Sequence, residues 1–349
     1  MSGFVETVYF NGMGDGMEQN KSFLSEKTII VAEVGINHGG DVHIAEDMIR
    51  VAHEAGADYV KLQSFVTEKL LHPTVPYFNL MKKVELSFED QAKLFEIAKK
   101  EGVKLFSSPF DEESLDFLAS LDAPAYKIAS MDCNNPAFVK KIAEKNKPMF
   151  IATGLSDYQE IGLLLDTILP INRSIFLMHC VSDYPAHPED MNIRVMDALE
   201  NDFCLPAGLS DHTIGIDMAK IAVTLGAKIV EKHFTLDKAL QEKHKFSDHA
   251  ISMDAKDLVE LRGFVDTIGA ILGDGEKSLS EGERQNIKNI RRGIYLKKDV
   301  KKGEIITEEH LIGLRPQHDL PILAIESLYG KKATEDLTAD SELHESSLS

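Results

Sequence analysis

Short apolar runs alternate with amphipathic stretches from Thr28 to about residue 273. The apolar runs are rich in β-branched residues, as buried strands are. They cover residues 28–34, 57–63, 103–108, 125–130, 148–153, 174–180, 204–210 and 228–234. In the stretches that follow each run, apolar residues recur at a spacing of about 3.6, which predicts helices. Several of these stretches end in the glycine that helix C-termini prefer.

Eight strand-then-helix units in succession predict an α/β fold, a (β/α)8 TIM barrel. An open doubly wound sheet is the alternative, but such sheets rarely run through eight evenly spaced parallel units. In a barrel the functional side chains come from the C-terminal ends of the strands. If the barrel prediction is right, polar and charged residues should therefore follow the predicted strands in the sequence.

The amino-acid composition of the chain changes after the last predicted helix. A polar, glycine-containing stretch is typical of a linker, and it precedes short β-like pieces that are separated by Lys-Gly-Glu and Pro turns. The β-rich part is near the lower size at which a domain folds alone, and its last residues, SELHESSLS, are expected to be frayed. We divide the chain into an N-terminal extension, a barrel, a linker and a small β-rich domain at residues 1–27, 28–273, 274–289 and 290–349.

The chain of 349 residues carries a net charge of −19. This charge, without any basic stripe, argues against a nucleic acid or an anionic membrane as partner. No apolar run reaches transmembrane length, and the first 27 residues lack the apolar core of a signal peptide. Three cysteines without CxxC spacing, Cys133, Cys180 and Cys204, are typical of a reducing compartment. We therefore expect a soluble, cytoplasmic protein.

Polar side chains lie at every predicted strand end. They are Glu33, Lys61, Gln63, Ser107, Ser108, Lys127, Ser130, Thr153, His179, Ser210, His212, Glu231 and His233. Fully buried lysine and glutamate are rare unless they are paired, so the whole ring indicates an active site. A single member can still be structural, and Ser107 and Ser108 could cap the helix that follows them.

His212 and His233 are 21 residues apart, which is one strand-helix-strand step. Such a step brings two strand ends side by side, where two imidazoles can hold a divalent metal. The alternative is that both rings are structural and bonded to backbone. Lys61 and Lys127, with hydroxyls around them, make a cradle for a phosphate or a carboxylate. No phosphate-binding P-loop or serine elbow is present, so the set indicates carbon–carbon chemistry on a phosphorylated substrate.

Eight segments in order, VAEVGINHGG, YVKLQ, SSPFDEES, YKIAS, ATGLS, HCVSDYP, GLSDHT and EKHF, resemble the sialic acid synthases. These enzymes condense phosphoenolpyruvate with an amino sugar. The run RRGIYLKKDVKKGEIITEEHL, followed by LRP, resembles the antifreeze-like (SAF) domain of the same family. The resemblance covers about residues 28–335 and rests on the ordered set rather than on any one piece.

The resemblance implies a role for each matching residue. His212 and His233 would bind the metal, expected to be Mn²⁺ with Mg²⁺ or Co²⁺ able to substitute, and Glu33 would hold the substrate near the metal or its activated water. The residues implied for phosphoenolpyruvate are Lys61, Ser108, Lys127, Ser130 and Ser210, and Thr153 is a further candidate for binding substrate. Those implied for the amino sugar are Tyr184, Asp248 and Arg315. Arg315 would reach the N-acyl group from a partner chain, which implies a domain-swapped homodimer.

The sequence departs from the family pattern mainly on the sugar side. The run KFSDHAIS replaces a Gly-Pro before Asp248, Gln317 replaces a glycine after Arg315-Pro316, and Asn79 is only a candidate for the sugar-binding asparagine. Ala152 stands where the family has a serine, so Thr153 would have to serve if a hydroxyl is needed there. These changes leave the identity of the sugar undecided, whereas the residues implied for the condensation itself are retained.

The sequence supports one main interpretation of the function and leaves alternatives to it. The main interpretation is an N-acetylneuraminate synthase acting on an N-acetylmannosamine-like sugar. A legionaminic or pseudaminic acid synthase is the alternative, and the VGINH run favours the sialic or legionaminic branch. Another phosphoenolpyruvate-dependent 3-deoxy-ulosonate synthase would lack the antifreeze-like tail. A non-catalytic carbohydrate-binding protein would not need the histidine pair and both lysines.

Overall fold

The computed structural model describes residues 27–242 and 247–349. The described chain divides into two compact units, one ending at Leu272 and the other covering Gly273–Ser349. The N-terminal extension predicted for residues 1–27 lies outside the described residues except for Lys27.

The first unit is built on a closed barrel of eight parallel strands, which confirms the predicted fold. The strands are β1 Ile29–Glu33, β2 Tyr59–Ser64, β3 Leu105–Pro109, β4 Tyr126–Ile128, β5 Met149–Ala152, β6 Ile175–Cys180, β7 Ala207–Asp211 and β8 Ile229–His233. Each strand pairs with the next, and β1 also pairs with β8 over five residues, which closes the barrel.

Helices alternate with the strands of this unit. They are α1 Val42–Glu54, α2 Thr67–Leu70, α3 Phe78–Val84, α4 Phe88–Glu101, α5 Glu112–Ser120, α6 Pro136–Ala143, α7 Tyr158–Ile168, α8 Val195–Phe203, α9 Asp217–Thr224 and α10 Ala255–Leu272. The short helices α2 and α3, between β2 and α4, were not predicted by the apolar pattern. None of the described helices is both long and apolar enough to cross a bilayer.

Helix ends follow local capping chemistry. Asp157 caps α7 and forms a reciprocal capping box with Glu160, and Gly102 ends α4 in the left-handed conformation at φ 76°. The proposed capping role of Ser107 and Ser108 is wrong. Both lie inside β3, and α5 is capped instead by Asp111, whose carboxylate accepts from Ser114 N–H at 2.9 Å.

The barrel interior changes character along its axis. Its lower part is filled by an apolar plug of Ile29, Val31, Tyr59, Phe106, Ala125, Phe150, Phe176, Met178 and Ile229. Because side chains alternate along a strand, the next inward positions after Val31 and Ile229 are Glu33 and Glu231. The plug therefore closes the barrel from below and leaves polar side chains at the C-terminal end.

The second unit contains helix α11, Glu281–Ile290, the antiparallel strands β9, Gly293–Leu296, and β10, Leu311–Leu314, and three short 3-10 helices, Glu308–His310, Ile322–Leu328 and Glu345–Ser347. The segment 274–289, interpreted from the sequence as a linker, is thus largely helical at its end. Ser280 caps this helix and Glu283 completes a capping box, a local signal that the polar composition obscured.

The C-terminal tail is packed, so the expectation that SELHESSLS would be frayed is wrong. Leu343 is fully buried and Leu348 is 9% exposed, both within the core of the second unit. Ala333 and Leu348 form an antiparallel bridge, and Ser349 N–H donates to Lys332 C=O at 2.9 Å. The two apolar residues hold the tail, although polar residues outnumber them.

Candidate active site

A cavity of about 360 Å³ opens at the C-terminal ends of the barrel strands. Its floor is polar and comes from the strand ends, whereas one wall is apolar. The floor side chains include Glu33, Lys61, Gln63, Ser108, Lys127, Ser130, Cys180, Ser210, His212, Glu231 and His233. The apolar wall consists of Leu70, Leu71, Tyr77, Met81, Phe110, Met131 and Leu155.

Two lysines and two glutamates form a closed ionic cluster in the floor. Lys61 Nζ lies 2.7 Å from Glu33 Oε2 and 2.9 Å from Glu231 Oε1. Lys127 Nζ lies 3.0 Å from the same Glu231 oxygen, to which Ser210 Oγ donates at 3.2 Å. All four charged side chains are at most 5% exposed. Their formal charges cancel, so the floor carries no net charge before an anion binds.

Glu33 is held as a carboxylate. Burial alone would raise its pKa, but Lys61 and Lys127 outweigh burial and lower the pKa to about 2. Gln63 Nε2 donates to Glu33 Oε1 at 2.7 Å, which occupies the second oxygen. A carboxylate of this kind stays ionised at neutral pH and is a weak base.

The two histidines lie side by side in the same floor. Their ring centroids are 5.6 Å apart. His212 Nδ1 lies 2.9 Å from Val181 C=O, which leaves Nε2 as the ring atom for another ligand. His233 Nδ1 is buried without a hydrogen-bond partner in the described chain, 3.6 Å from Asp248 Oδ2. Burial lowers the pKa of His233 to about 4, so this ring is neutral near pH 7.

These features fit a metal site. Each ring keeps one nitrogen available, and a neutral imidazole is the form that ligates a divalent ion. Tyr184 stacks on His212 at 4.2 Å, with an interplanar angle of 28°. Gly35 has φ +54°, and a Cβ there would lie 2.9 Å from His233 Nδ1. The glycine therefore leaves room for the ring, and a larger residue would push it out of place.

A different group of potential ligands lies in the second unit. Within the described ranges, Asp319, Glu342 and His344 bring one ligand atom each to within 4.8 Å of one another. Asp319 and His344 are exposed, and His344 Nδ1 already lies 2.7 Å from Asp319 Oδ2. This arrangement is an ordinary surface ion pair.

Most of the predicted site residues are brought together. Glu33, Lys61, Ser108, Lys127, Ser130, Tyr184, Ser210, His212 and His233 all line the cavity. Thr153 does not, because its hydroxyl donates to Met178 C=O at 3.1 Å. Asp248 does not line the cavity, but its Oδ2 lies 3.6 Å from Nδ1 of His233, which does. Arg315 belongs to the second unit, and Asn79 lies in helix α3.

Sequence reasoning missed three polar neighbours. Glu231 was noted at its strand end without a role, yet both lysines converge on it, and its Oε2 has no partner in the described chain. Ser182 faces Ser130 across Gly154, where a Cβ would meet their hydroxyls at 2.4 and 2.7 Å. Alternation along β8 could have identified Glu231, since it shares its face with His233.

Cys180 is the third missed neighbour. Burial alone would raise the pKa of the thiol and lower the pKa of His212. Their contact, 3.7 Å between Sγ and Nδ1, outweighs burial for both groups and brings the pKa of the thiol to about 7. Cys180 therefore belongs to the electrostatic environment of the histidine pair.

The apolar wall was also missed. Leu70, Leu71, Tyr77 and Met81 come from the α2–α3 segment, whose short helices give no clear period in the sequence. A long connection after a barrel strand is the only signal that could have indicated a lid or wall here.

The closed parallel barrel carries buried lysines, glutamates and two imidazoles at the C-terminal ends of its strands, where barrel enzymes have their active sites. Family comparison then identifies it: the NeuB family model matches residues 48–277, and the SAF domain model matches residues 291–348. The chain belongs to the NeuB family, which confirms the resemblance found in the sequence.

Individual relatives agree with this assignment. The chain is 37% identical over 333 residues to N,N'-diacetyllegionaminic acid synthase of Legionella pneumophila, covering 90% of this chain and 92% of that protein. It is 34% identical over 340 residues to pseudaminic acid synthase of Campylobacter jejuni, with 92% and 96% covered. The structure of N-acetylneuraminic acid synthetase from Leptospira borgpetersenii matches with a TM-score of 0.69 at 32% identity, covering 75% of this chain and 90% of that one.

Proposed function

We propose that this protein is a metal-dependent synthase that joins phosphoenolpyruvate to the open-chain form of an N-acyl amino sugar and releases phosphate. The observation that carries the proposal is the convergence of Lys61 and Lys127 with the His212–His233 pair in one cavity. Relatives over nine-tenths of the chain, named as legionaminic and pseudaminic acid synthases, support the same chemistry.

Phosphoenolpyruvate would bind on the ionic floor. Both lysines now contact Glu231. On binding, Lys61 and Lys127 would each donate a hydrogen bond to the phosphate or the carboxylate of the ligand. Hydroxyls of the cavity floor would donate to the remaining oxygens. Ser108 and Ser130 line the cavity, and Ser210 would turn its hydroxyl from Glu231 to the ligand. Thr153 is better described as a support for the β5 end, since its hydroxyl is used by the backbone.

His212 and His233 would hold the divalent ion, for which Mn²⁺ is the first choice and Mg²⁺ or Co²⁺ are substitutes. When bound, such an ion polarises a carbonyl oxygen as a Lewis acid. Tyr184, stacked on His212 and about half exposed, would limit where the sugar aldehyde can enter.

The reaction would proceed by attack of C3 of phosphoenolpyruvate on the aldehyde carbon of the sugar. The new C–C bond leaves positive charge at C2, which the ionised Glu33 would stabilise because its pKa of about 2 keeps it negative. Water then adds at C2 and loses one proton, which balances the proton that the former aldehyde oxygen takes up to become a hydroxyl. The C2–O bond to phosphate then breaks, and the remaining proton of the C2 hydroxyl leaves with the phosphate as the C2=O bond of the keto acid forms. Glu33 would orient this water rather than deprotonate it, because it is too weak a base.

The identity of the sugar is the finer part of the proposal. An N-acetylmannosamine-like sugar, contacted by Tyr184, Asp248 and a partner's copy of Arg315, is one candidate. A doubly N-acetylated sugar is the second, and the apolar wall favours it because a second acetyl methyl needs an apolar surface. The name of the Legionella relative agrees with this second candidate.

Metal removal tests the proposal. Stripping the protein with a chelator should abolish phosphate release, and added Mn²⁺ should restore it. His212→Ala should lose the restoration, whereas His344→Ala, which removes a histidine from the exposed group in the second unit, should keep it. Full metal-dependent turnover by the His212→Ala variant would refute the assigned ligands.

A further inference from the structure

A fully buried ion pair lies beside the two histidines, outside the residues that line the cavity. Asp211 is the last residue of β7 and precedes His212, and Lys232 precedes His233 at the end of β8. Asp211 and Lys232 are register partners in the parallel ladder. Lys232 Nζ lies 3.0 Å from Asp211 Oδ2, and neither side chain exposes any surface.

The pair also fixes the backbone beyond His212. Asp211 Oδ1 accepts from both the N–H and the hydroxyl of Thr213, each at 2.8 Å. Lys232 Nζ donates to Thr213 C=O at 2.6 Å. His212 therefore lies between Asp211, a member of the ion pair, and Thr213, which is bound to both members. His233 follows directly on Lys232.

Stability alone is a weak explanation for such a pair. Removing two charges from water is costly, and an apolar pair of similar volume is often at least as stable. Asp211 and Lys232 do not line the cavity, so they do not touch a substrate bound there. What they do is join the two strand ends that carry the histidines, through an ion pair between register partners.

We propose that Asp211, Lys232 and Thr213 form a positioning clamp that holds His212 and His233 at the separation needed to share one ion. The proposal rests on the metal site of the proposed function. Residues that orient metal ligands without touching the ion typically change metal affinity about 10- to 100-fold when they are replaced.

Mn²⁺ binding separates positioning from plain stability. Lys232→Met should raise the Kd for Mn²⁺ about 10- to 100-fold, measured by electron paramagnetic resonance of free Mn²⁺ on the full chain without substrate. The matched control is Arg262→Met, which removes another cation from an ion pair, 3.0 Å from Asp58 in the segment before β2. Both variants should lower the Tm, but the control should leave the Kd within about twofold.

Thr213→Val provides a milder variant if Lys232→Met does not fold. It removes one hydroxyl hydrogen bond to Asp211 and should weaken Mn²⁺ binding about 2- to 10-fold, as loss of one buried hydrogen bond would. If either folded variant has a lower Tm with wild-type Mn²⁺ affinity, the clamp is only structural and the inference is wrong. If the wild-type protein binds neither Mn²⁺, Mg²⁺ nor Co²⁺, the metal site itself fails and the clamp fails with it.

Discussion

The two lysines of the cavity floor differ in what they leave behind when removed. Lys61 lies between Glu33 and Glu231, whereas Lys127 pairs with Glu231 alone among the described residues. Without Lys127, Glu231 still has Lys61 and Ser210 as partners. Without Lys61, the buried carboxylate of Glu33 keeps the neutral Gln63 amide as its hydrogen-bond donor, and Lys127 acts on it only from a distance. The same substitution therefore has different consequences at the two positions.

We expect Lys127→Met to fold with little loss of stability and to lower kcat/KM for phosphoenolpyruvate by about 10²- to 10³-fold, as loss of one placed charge does. Lys61→Met should in addition lower the free energy of unfolding by about 3–5 kcal/mol, because it leaves the buried carboxylate of Glu33 without a cation in direct contact. Steady-state kinetics and urea unfolding measure the two effects, with Lys145→Met as control, because Lys145 is only partly buried and its ion pair with Asp116 lies at the surface. Equal stability of the two floor variants would contradict this account of the ionic cluster.

At the scale of elements, the sequence predicts what a strong period determines. All eight strands were located because each is a short β-rich run followed by a helical period, and alternation then places Glu33, Glu231 and His233 on the inner face. Helices α2 and α3 escaped prediction because four and seven residues are too few to show a period. Thr153 does not line the cavity, and the sequence could not show this for a different reason. A threonine hydroxyl can donate either to the backbone or to a ligand, and only the coordinates show that its acceptor here is Met178 C=O.

The tail of the second unit shows the same limit, since two buried leucines outweigh a polar composition. Leu343→Ala should lower the free energy of unfolding of this unit by about 2–5 kcal/mol. Leu323→Ala is the matched control because Leu323 is 92% exposed, and it should be nearly neutral. Chemical denaturation with limited proteolysis of the C-terminal unit measures both. Equal stability of the two variants would mean that the tail is not packed.

At the scale of the whole molecule, the two units carry different parts of the predicted site. The barrel unit contributes the floor, the histidines and the wall, while Arg315 belongs to the second unit. The family resemblance predicts that Arg315 acts on the barrel of a partner chain, and this domain-swapped homodimer stays a prediction.

Mixing two inactive variants tests the swap. Arg315→Ala and Lys127→Met chains, each with low activity alone, should regenerate activity when combined. One barrel in the mixed dimer then has an intact lysine together with a partner's intact arginine. Phosphate release after verified subunit exchange is the measurement, and sedimentation should give a dimer. Absence of recovery would mean that Arg315 acts on its own chain or not at all.

The central claim is that this chain forms a carbon–carbon bond between phosphoenolpyruvate and an N-acyl amino sugar. The most direct measurement is an incubation with phosphoenolpyruvate, Mn²⁺ and a panel of singly and doubly N-acetylated amino sugars, with phosphate and product mass followed together. We predict phosphate release that depends on one of these sugars, with a product whose mass is the sum of the sugar and pyruvate. Phosphate release that is no greater than that of Lys127→Met with every sugar, or release without a condensed product, would contradict the account.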